Sequence, residues 1–463
     1  MFLNFDPASI AGLTDKERYW LGELVNVMAL RWPGNCLKER YYEGKIRLAD
    51  VNLGIAIPDG MRKLEIGCAW GAKCVDVLAA RSMFDGFVGV DGDPVEELNQ
   101  IVQANNLVAE YGKSSRDELK FGCTFATLSK DQKTRCKIRW HSPKTAAALW
   151  DGDKGRIRCG LAIIDTMPTN DDLNWTPSIL NYYTDDAVIV ITSTDRGWVA
   201  TRYPHKMGRP LMEPLIWNAT SGKPFGRSRI KEPIRRLIQG YVRTIANATI
   251  GLEFSTSPQK YLLGVTDEQY DAVINQKFKQ YVGSLLASTT NPETGENPVF
   301  GQLPQGSIEP HVQMIRVLAT QFSAATGLPV TDTGVVNDAN PTSSDAIEAQ
   351  TKTLVGLAEQ LNTGNGDSLR TIALMALAIA NNKTIEELTD EQRDIVAHFK
   401  NPAMPSVAAT ADAAIKIASA REGFASTDTF LEMIGFSQAD IRRIKAQEQR
   451  VRGMAVLEEL GIE

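Results

Sequence analysis

The stretch from Ser228 to Asn382 constrains this chain more than any other. It opens with a helical run, Ile230 to Leu252, in which Ile230, Ile234, Leu237, Ile238, Tyr241, Ile245 and Leu252 recur near 3.6 residues. That spacing gives one apolar stripe, with Arg235, Arg236 and Arg243 lying off it. A compact insert follows, Ser257 to Gly306. A second helix, Ile308 to Thr326, then carries its own stripe through Ile308, Val312, Ile315, Leu318 and Phe322, suited to packing beside the first. A short polar loop leads to a long helix, Ser343 to Asn382, interrupted at Thr363-Gly364-Asn365-Gly366-Asp367. Nothing in this order has the look of catalytic machinery.

The insert is expected to be a small α/β unit. Short strands at Tyr261–Gly264 and Val299–Leu303 flank a helix, Asp267 to Gly283, with Thr266 and Gln269 placed as a capping box. It is too short to bury much core by itself, so its packing is expected to be completed by neighbouring copies.

At 463 residues the chain has room for two to four domains, taking about 150 residues per domain. A formal charge of −6 argues against a surface that grips nucleic acid everywhere, but permits a local basic patch. The six cysteines all fall in the first third without CxxC pairing, which reads as free thiols in a reducing compartment. Four scattered histidines give a zinc site little support. Met1 to Asp6 lacks the basic start of a signal peptide, and no apolar run is long enough to span a membrane. The expected product is made in the cytoplasm and does not enter a membrane.

Upstream, residues 10–32 read as an amphipathic helix capped by Thr14 and Glu17, with Gly44 as a later left-handed helix exit. A helix is expected over Cys68–Ser82, with Trp70 as a packing anchor and Asp76 on the solvated face, then a strand Phe87–Val90. Another helix is expected over Pro94–Tyr111. Strands are expected at Phe121–Ser129, Arg135–His141, Gly155–Asp165, Asn181–Ser193 and Gly197–Tyr203, joined by polar turns. Asp151 to Gly155 faintly resembles a calcium loop, but the missing ligand positions favour a hairpin turn. These elements make an α+β domain with an antiparallel sheet over roughly the first 220 residues. Downstream, a short strand Ile395–Phe399 and a two-proline linker precede helices at Val407–Arg421, Ser426–Gly435 and Ser437–Leu457.

One segment supports a rival reading. Glu65, Gly67 and Gly71 resemble the first motif of class I S-adenosylmethionine-dependent methyltransferases, where glycines let a strand turn close to the cofactor. Ala69 replaces the middle glycine, and the following elements do not keep alternating strand and helix as a doubly wound sheet requires.

A family likeness runs through the chain. Gly208 to Leu215, Gly226 to Ile230, Phe254 to Gly264, Phe300 to Pro304, Ala325 to Pro329 and Pro341 to Ile347 together resemble the portal proteins of tailed bacteriophages of siphovirus type. Tyr41 to Gly44, Trp70 with Val75 and Asp76, and Ala411 to Lys416 fit the same family. Order and spacing over about 400 residues make the resemblance specific.

The resemblance implies a structural, non-enzymatic protein of the portal fold. Its parts would be an α/β wing (1–226), a first stem helix (227–256), an α/β clip (257–306) and a second stem helix (307–329). A tunnel loop (330–341), a long kinked helix with the rest of the wing (342–404) and a helical crown (405–463) would follow. It implies a ring of twelve subunits at one capsid vertex, conducting double-stranded DNA during packaging and ejection. Partners would be the terminase large subunit, the head–tail adaptor, and the major capsid and scaffold proteins. No cofactor or metal is implied, and no GxxxxGKS/T run is present, consistent with a separate ATPase motor. The tunnel-loop candidates are Asp332, Val335, Val336, Asn337 and Asp338; the stem basic candidates are Arg235, Arg236 and Arg243. The loop has no Lys or Arg before Pro341, which suits weak engagement of phosphate during sliding.

Overall fold

A computed structural model of the chain describes residues 6–47, 65–89, 95–168, 175–195, 197–256, 260–263, 290, 295, 297, 299–302, 307–335, 344–403, 407–421, 423–436 and 438–459. The first helix, α1 (Asp15–Tyr42), opens with the expected capping box between Thr14 and Glu17. It does not stop near residue 32. It runs on through Pro33, because its next turns are tied down: the Asn35 amide donates to the Pro143 carbonyl at 3.2 Å and the Lys38 ammonium to Phe121 at 3.0 Å. Gly44, at φ +70°, provides the left-handed exit.

An antiparallel pair follows, β1 (Lys45–Arg47) with β2 (Glu65–Gly67), then α2 (Trp70–Ala79) and β3 (Phe84–Gly89). The single helix expected over 94–111 is instead two, α3 (Glu96–Ala104) and α4 (Leu107–Phe121). The break is built by asparagines. Asn106 takes the left-handed conformation at φ +48°, and the buried Asn105 side chain bonds the Ile101 and Cys136 carbonyls and the Ile138 amide. Those three bonds replace what a continued helix would supply.

Eight strands come next: β4 (Cys123–Asp131), β5 (Arg135–His141), β6 (Ala146–Asp151), β7 (Arg156–Pro168), β8 (Trp175–Tyr183), β9 (Ala187–Thr194), β10 (Gly197–Pro204) and β11 (Met212–Ile216). They form a five-stranded sheet, β10-β9-β8-β7-β6, and a three-stranded sheet, β11-β4-β5. The strand expected over 181–193 is split into β8 and β9, since the Thr184 hydroxyl bonds Asp186 and the Ala187 amide and closes a turn. The strands β6 and β11 were hidden, one by its alanines and the other by Pro214, both poor strand signals. The 151–155 turn is the expected hairpin, with Asp151 accepting from the Asp153 amide and Gly155 at φ +61°.

The rest of the described chain comprises α5 (Glu232–Thr256), the antiparallel pair β12 (Lys260–Leu263) and β13 (Val299–Gln302), α6 (Glu309–Thr326), α7 (Ser344–Asn381), α8 (Asp390–Arg393) and β14 (Ile395–Phe399). Three helices close it, α9 (Val407–Ala420), α10 (Asp428–Ile434) and α11 (Gln438–Glu459). The strand β14 pairs with β3, returning residues 395–399 beside residues 84–89. The expected insert helix over 267–283 and Ser437, the expected first residue of the last helix, lie outside the described residues, as do Val336, Asn337 and Asp338.

All named strand pairs among the described residues are antiparallel, so the fold is α+β. This overturns the methyltransferase reading, because Glu65 to Gly67 lie in a two-stranded antiparallel ribbon and not in a parallel sheet. Gly71 has a different use. A Cβ there would sit 1.9 Å from the Tyr41 carbonyl oxygen, so the glycine lets α2 cross α1 at close range.

Among the described residues, three hydrophobic cores hold the fold together. One lies between the five-stranded sheet and the first half of α1, around Leu21, Leu24, Leu161, Tyr182 and Ile191. A second joins α3, α4 and the three-stranded sheet to the last part of α7, from Leu369 to Ile379. The third gathers α2, α5, α6 and the first part of α7. Thus α7 serves two cores in succession, and it is continuous through 363–367 rather than interrupted. Asn365 sits at the changeover, fully buried, donating to Glu118 at 2.8 Å and to the Tyr111 hydroxyl at 3.0 Å. Its hydrogen bonds let a polar residue pass through the core without breaking the helix.

Candidate functional site

The third core is where the parts around Ser228–Asn382 meet. Trp70, at the start of α2, is buried, and its ring stacks on Phe322 of α6 at 4.8 Å with Tyr241 of α5 on another side at 4.6 Å. Its indole N–H donates to the Thr333 carbonyl at 3.1 Å. One side chain therefore ties α2 to both α5 and α6 and to the short helical turn Val330–Thr333 that follows them.

Arg229 makes the companion tie. It is buried, and its guanidinium donates to the Cys74 carbonyl at 2.5 Å and to the Thr326 carbonyl, the last residue of α6, at 2.6 Å. Burial pulls its pKa down from the usual arginine value, yet hydrogen bonds to two carbonyl dipoles keep the cation accommodated. Below these groups Ile234, Ile238 and Val242 of α5 pack in one cluster with Leu318, Ala319 and Phe322 of α6. The anticipated stripes are thus right at Ile234, Ile238, Leu318 and Phe322. They are wrong at Leu252 and Val312, which are exposed because the two helices share only part of each length.

The basic candidates separate. Arg235 is half-buried and bonds the Ile230 carbonyl at 3.0 Å, while the exposed Arg236 pairs with Glu232 at 3.2 Å. Both line a groove against Leu37, Arg40 and Tyr41 of α1. Arg243 lies two turns further along α5 and is half-buried. Of the loop candidates, Asp332 lies in the Val330–Thr333 turn and Val335 packs against the third core, so these two form the root of the loop. Trp70 is the packing anchor the sequence suggests, but its bond to Thr333 and the Arg229 tie escaped the sequence reading, since a carbonyl contact across 263 residues leaves no local pattern.

Chemistry of the enzymatic kind finds little support around this junction. Burial pushes the Cys74 thiol up to about 12 and that of Cys68 up to about 11, as befits packing groups rather than nucleophiles. Among the described residues no group of His, Cys, Asp and Glu has a metal-binding arrangement, and no helix is long and apolar enough to cross a membrane.

The sequence matches the family described as "Phage portal protein, SPP1 Gp6-like" over residues 35–454. The chain belongs to the SPP1 Gp6-like phage portal protein family. The portal proteins of Mycobacterium phages L5 and D29 are each 24% identical to it over 433 residues, covering 90% of this chain and 86% of theirs. Among solved structures, a chain of the neck of an empty gene transfer agent particle is 11% identical, with a TM-score of 0.46 over 79% of this chain and 90% of that one. A chain of the native particle's virion is 12% identical, with a TM-score of 0.45 over 79% and 89%. This phage portal protein is a structural component of the virion, and the family is not an enzymatic one.

Proposed function

We propose that this portal protein assembles into a closed ring of twelve copies at one capsid vertex and conducts double-stranded DNA through its centre. The observation that carries the reading is the family match spanning residues 35–454, which includes all the elements around the α5–α6 junction. In the ring, α5 and α6 are the stem, the segment 257–306 is the clip, and residues 330–341 form the tunnel loop. Residues 1–226 and 342–404 are the wing, α7 being the long helix that joins it to the loop, and residues 405–463 are the crown.

The arrangement supports this division. Trp70 and Arg229 bind the ends of both stem helices and the root of the loop to the wing, so that the loop is hung from a rigid base. The ring multiplies each side chain by its symmetry, turning Asp332 into an acidic girdle that engages phosphate weakly. The clip docks the terminase large subunit during packaging and the head–tail adaptor afterwards, while the wing and crown meet capsid and scaffold proteins. The chain has no catalytic activity of its own, and the motor is a separate ATPase. Electron micrographs and native mass measurement of the purified protein test the assembly: closed rings of about a dozen copies are expected. A protein that stays monomeric at all concentrations, and in the presence of scaffold and capsid proteins, would overturn the reading.

A further inference from the structure

Away from the α5–α6 junction, α1, β6 and the loop 218–226 enclose an open cavity of about 560 Å³. Among the described residues three cations line it, Arg31 and Lys38 from α1 and Lys223 from the loop, and no carboxylate does. The Lys38 ammonium is half-buried, with its bonds to the Phe121 carbonyl (3.0 Å) and the Asn35 side chain (3.3 Å) leaving one of its three donors over. Arg31 stands at the mouth, its guanidinium 5.3 Å from the Phe225 ring, which fixes its direction without neutralising it. Burial first, and then the Arg31 and Arg235 guanidiniums, hold Lys38 below the usual lysine range. A chain with six net negative charges has here gathered positive charge around a hollow.

We propose that this cavity binds a phosphate-class oxyanion, with Lys38 at its floor, Arg31 at its mouth and Lys223 at its rim. An oxyanion supplies acceptors for the spare ammonium donor and for the planar guanidinium, and it relieves the repulsion between the cations. The apolar wall of Leu149, Trp150 and Phe225 lowers the local dielectric and strengthens the contact. The site is built within one chain and stands or falls independently of ring formation.

Inorganic phosphate is the probe. Thermal unfolding of the full chain in rising phosphate, against sodium chloride at equal ionic strength, should show a saturable rise in Tm with phosphate alone. The exposed-residue variants Arg31→Gln and Lys223→Gln, which leave the fold intact, should each weaken apparent affinity by about tenfold, near the value of one charge-assisted bond. Lys38→Met should abolish it. A short DNA duplex that competes with phosphate for the site would identify the source as a nucleic-acid phosphate; a duplex that does not compete would identify it as the free anion. Equal stabilisation by chloride, no saturation, or phosphate binding that survives in Arg31→Gln and Lys223→Gln together would overturn the proposal.

Discussion

Trp70 and Thr333 lie 263 positions apart, and the indole N–H of the first donates to the backbone carbonyl of the second at 3.1 Å. The bond fixes the turn Val330–Thr333, while the face of the same ring stacks on Phe322. Two variants separate these roles. Trp70→Phe keeps most of the apolar contact and leaves the Thr333 carbonyl unpaired, at a cost of about 1–3 kcal/mol. Trp70→Ala removes both and should cost about 3–5 kcal/mol. Denaturant unfolding gives the two stabilities; a Trp70→Phe protein as stable as wild type would show that the hydrogen bond contributes nothing, and equal losses in the two variants would show that the ring contact contributes nothing.

The buried contact between Glu118 and Asn365 should make stability depend on pH. Burial pushes the Glu118 carboxyl up to about 8, with the Asn365 amide opposing that shift only in part. The folded-state pKa is therefore raised above the unfolded value. The folded chain holds a proton that the unfolded chain releases, so this group's contribution is complete below about pH 4.5 and is lost as pH rises towards 8. Over that window stability should fall by up to about 1.4 kcal/mol per pH unit from this group. Glu118→Gln should remove that part of the slope and leave the variant the more stable protein at pH 8. The difference between wild-type and variant unfolding curves from pH 5 to 9 measures it; parallel curves would refute the assignment.

Gly71 supplies a test in which two effects oppose each other. On an open helix face Gly→Ala gains about 1 kcal/mol from helix propensity. Here the new Cβ would fall 1.9 Å from the Tyr41 carbonyl, a backbone atom that cannot swing aside. Gly71→Ala should therefore destabilise the protein, by about 1–3 kcal/mol, as α2 is forced off α1. Stabilisation instead would mean that the helices are not in close contact. Titration with S-adenosylmethionine should give no heat in either protein, since the glycine serves packing.

Much of this was legible in the chain because it is local. The Thr14–Glu17 cap, the Gly44 exit and the Asp151–Gly155 turn depend on residues within a few positions of one another, and each stands where the sequence puts it. The paired helices around an insert were equally plain from their apolar period. What was hidden depends on contacts across the chain. Asn105 ends a helix that reads as continuous because Cys136 and Ile138 wait beside it. Asn365, between two glycines, reads as an interruption, yet Tyr111 and Glu118 accept from its side-chain amide nitrogen and α7 runs through. The basic residues of α5 show the same limit: their period places them off the stripe, but only the fold turns Arg235 and Arg236 towards α1. Distant partners decide such positions, and the periodicity of one segment carries no record of them.

The loop charge is the remaining point at which sequence and function meet. Asp332 lies in the turn anchored by Trp70, and Asp338 follows within the polar run that ends at Pro341. On the proposal that this loop lines the channel of a ring, the acidic groups would repeat around the axis and keep the DNA backbone from settling on it. Changing both to lysine converts that repulsion into a girdle of cations. Each phosphate contact so made releases counterions and adds about 0.9 to the slope of log affinity against log salt. The double variant Asp332→Lys and Asp338→Lys should therefore fold and assemble as before but slow or stall DNA packaging, most strongly at low salt. Packaging assays across a salt series give the readout. A rate equal to wild type at every ionic strength would mean that these residues do not face the DNA path, and that the channel constriction is built from another part of the chain.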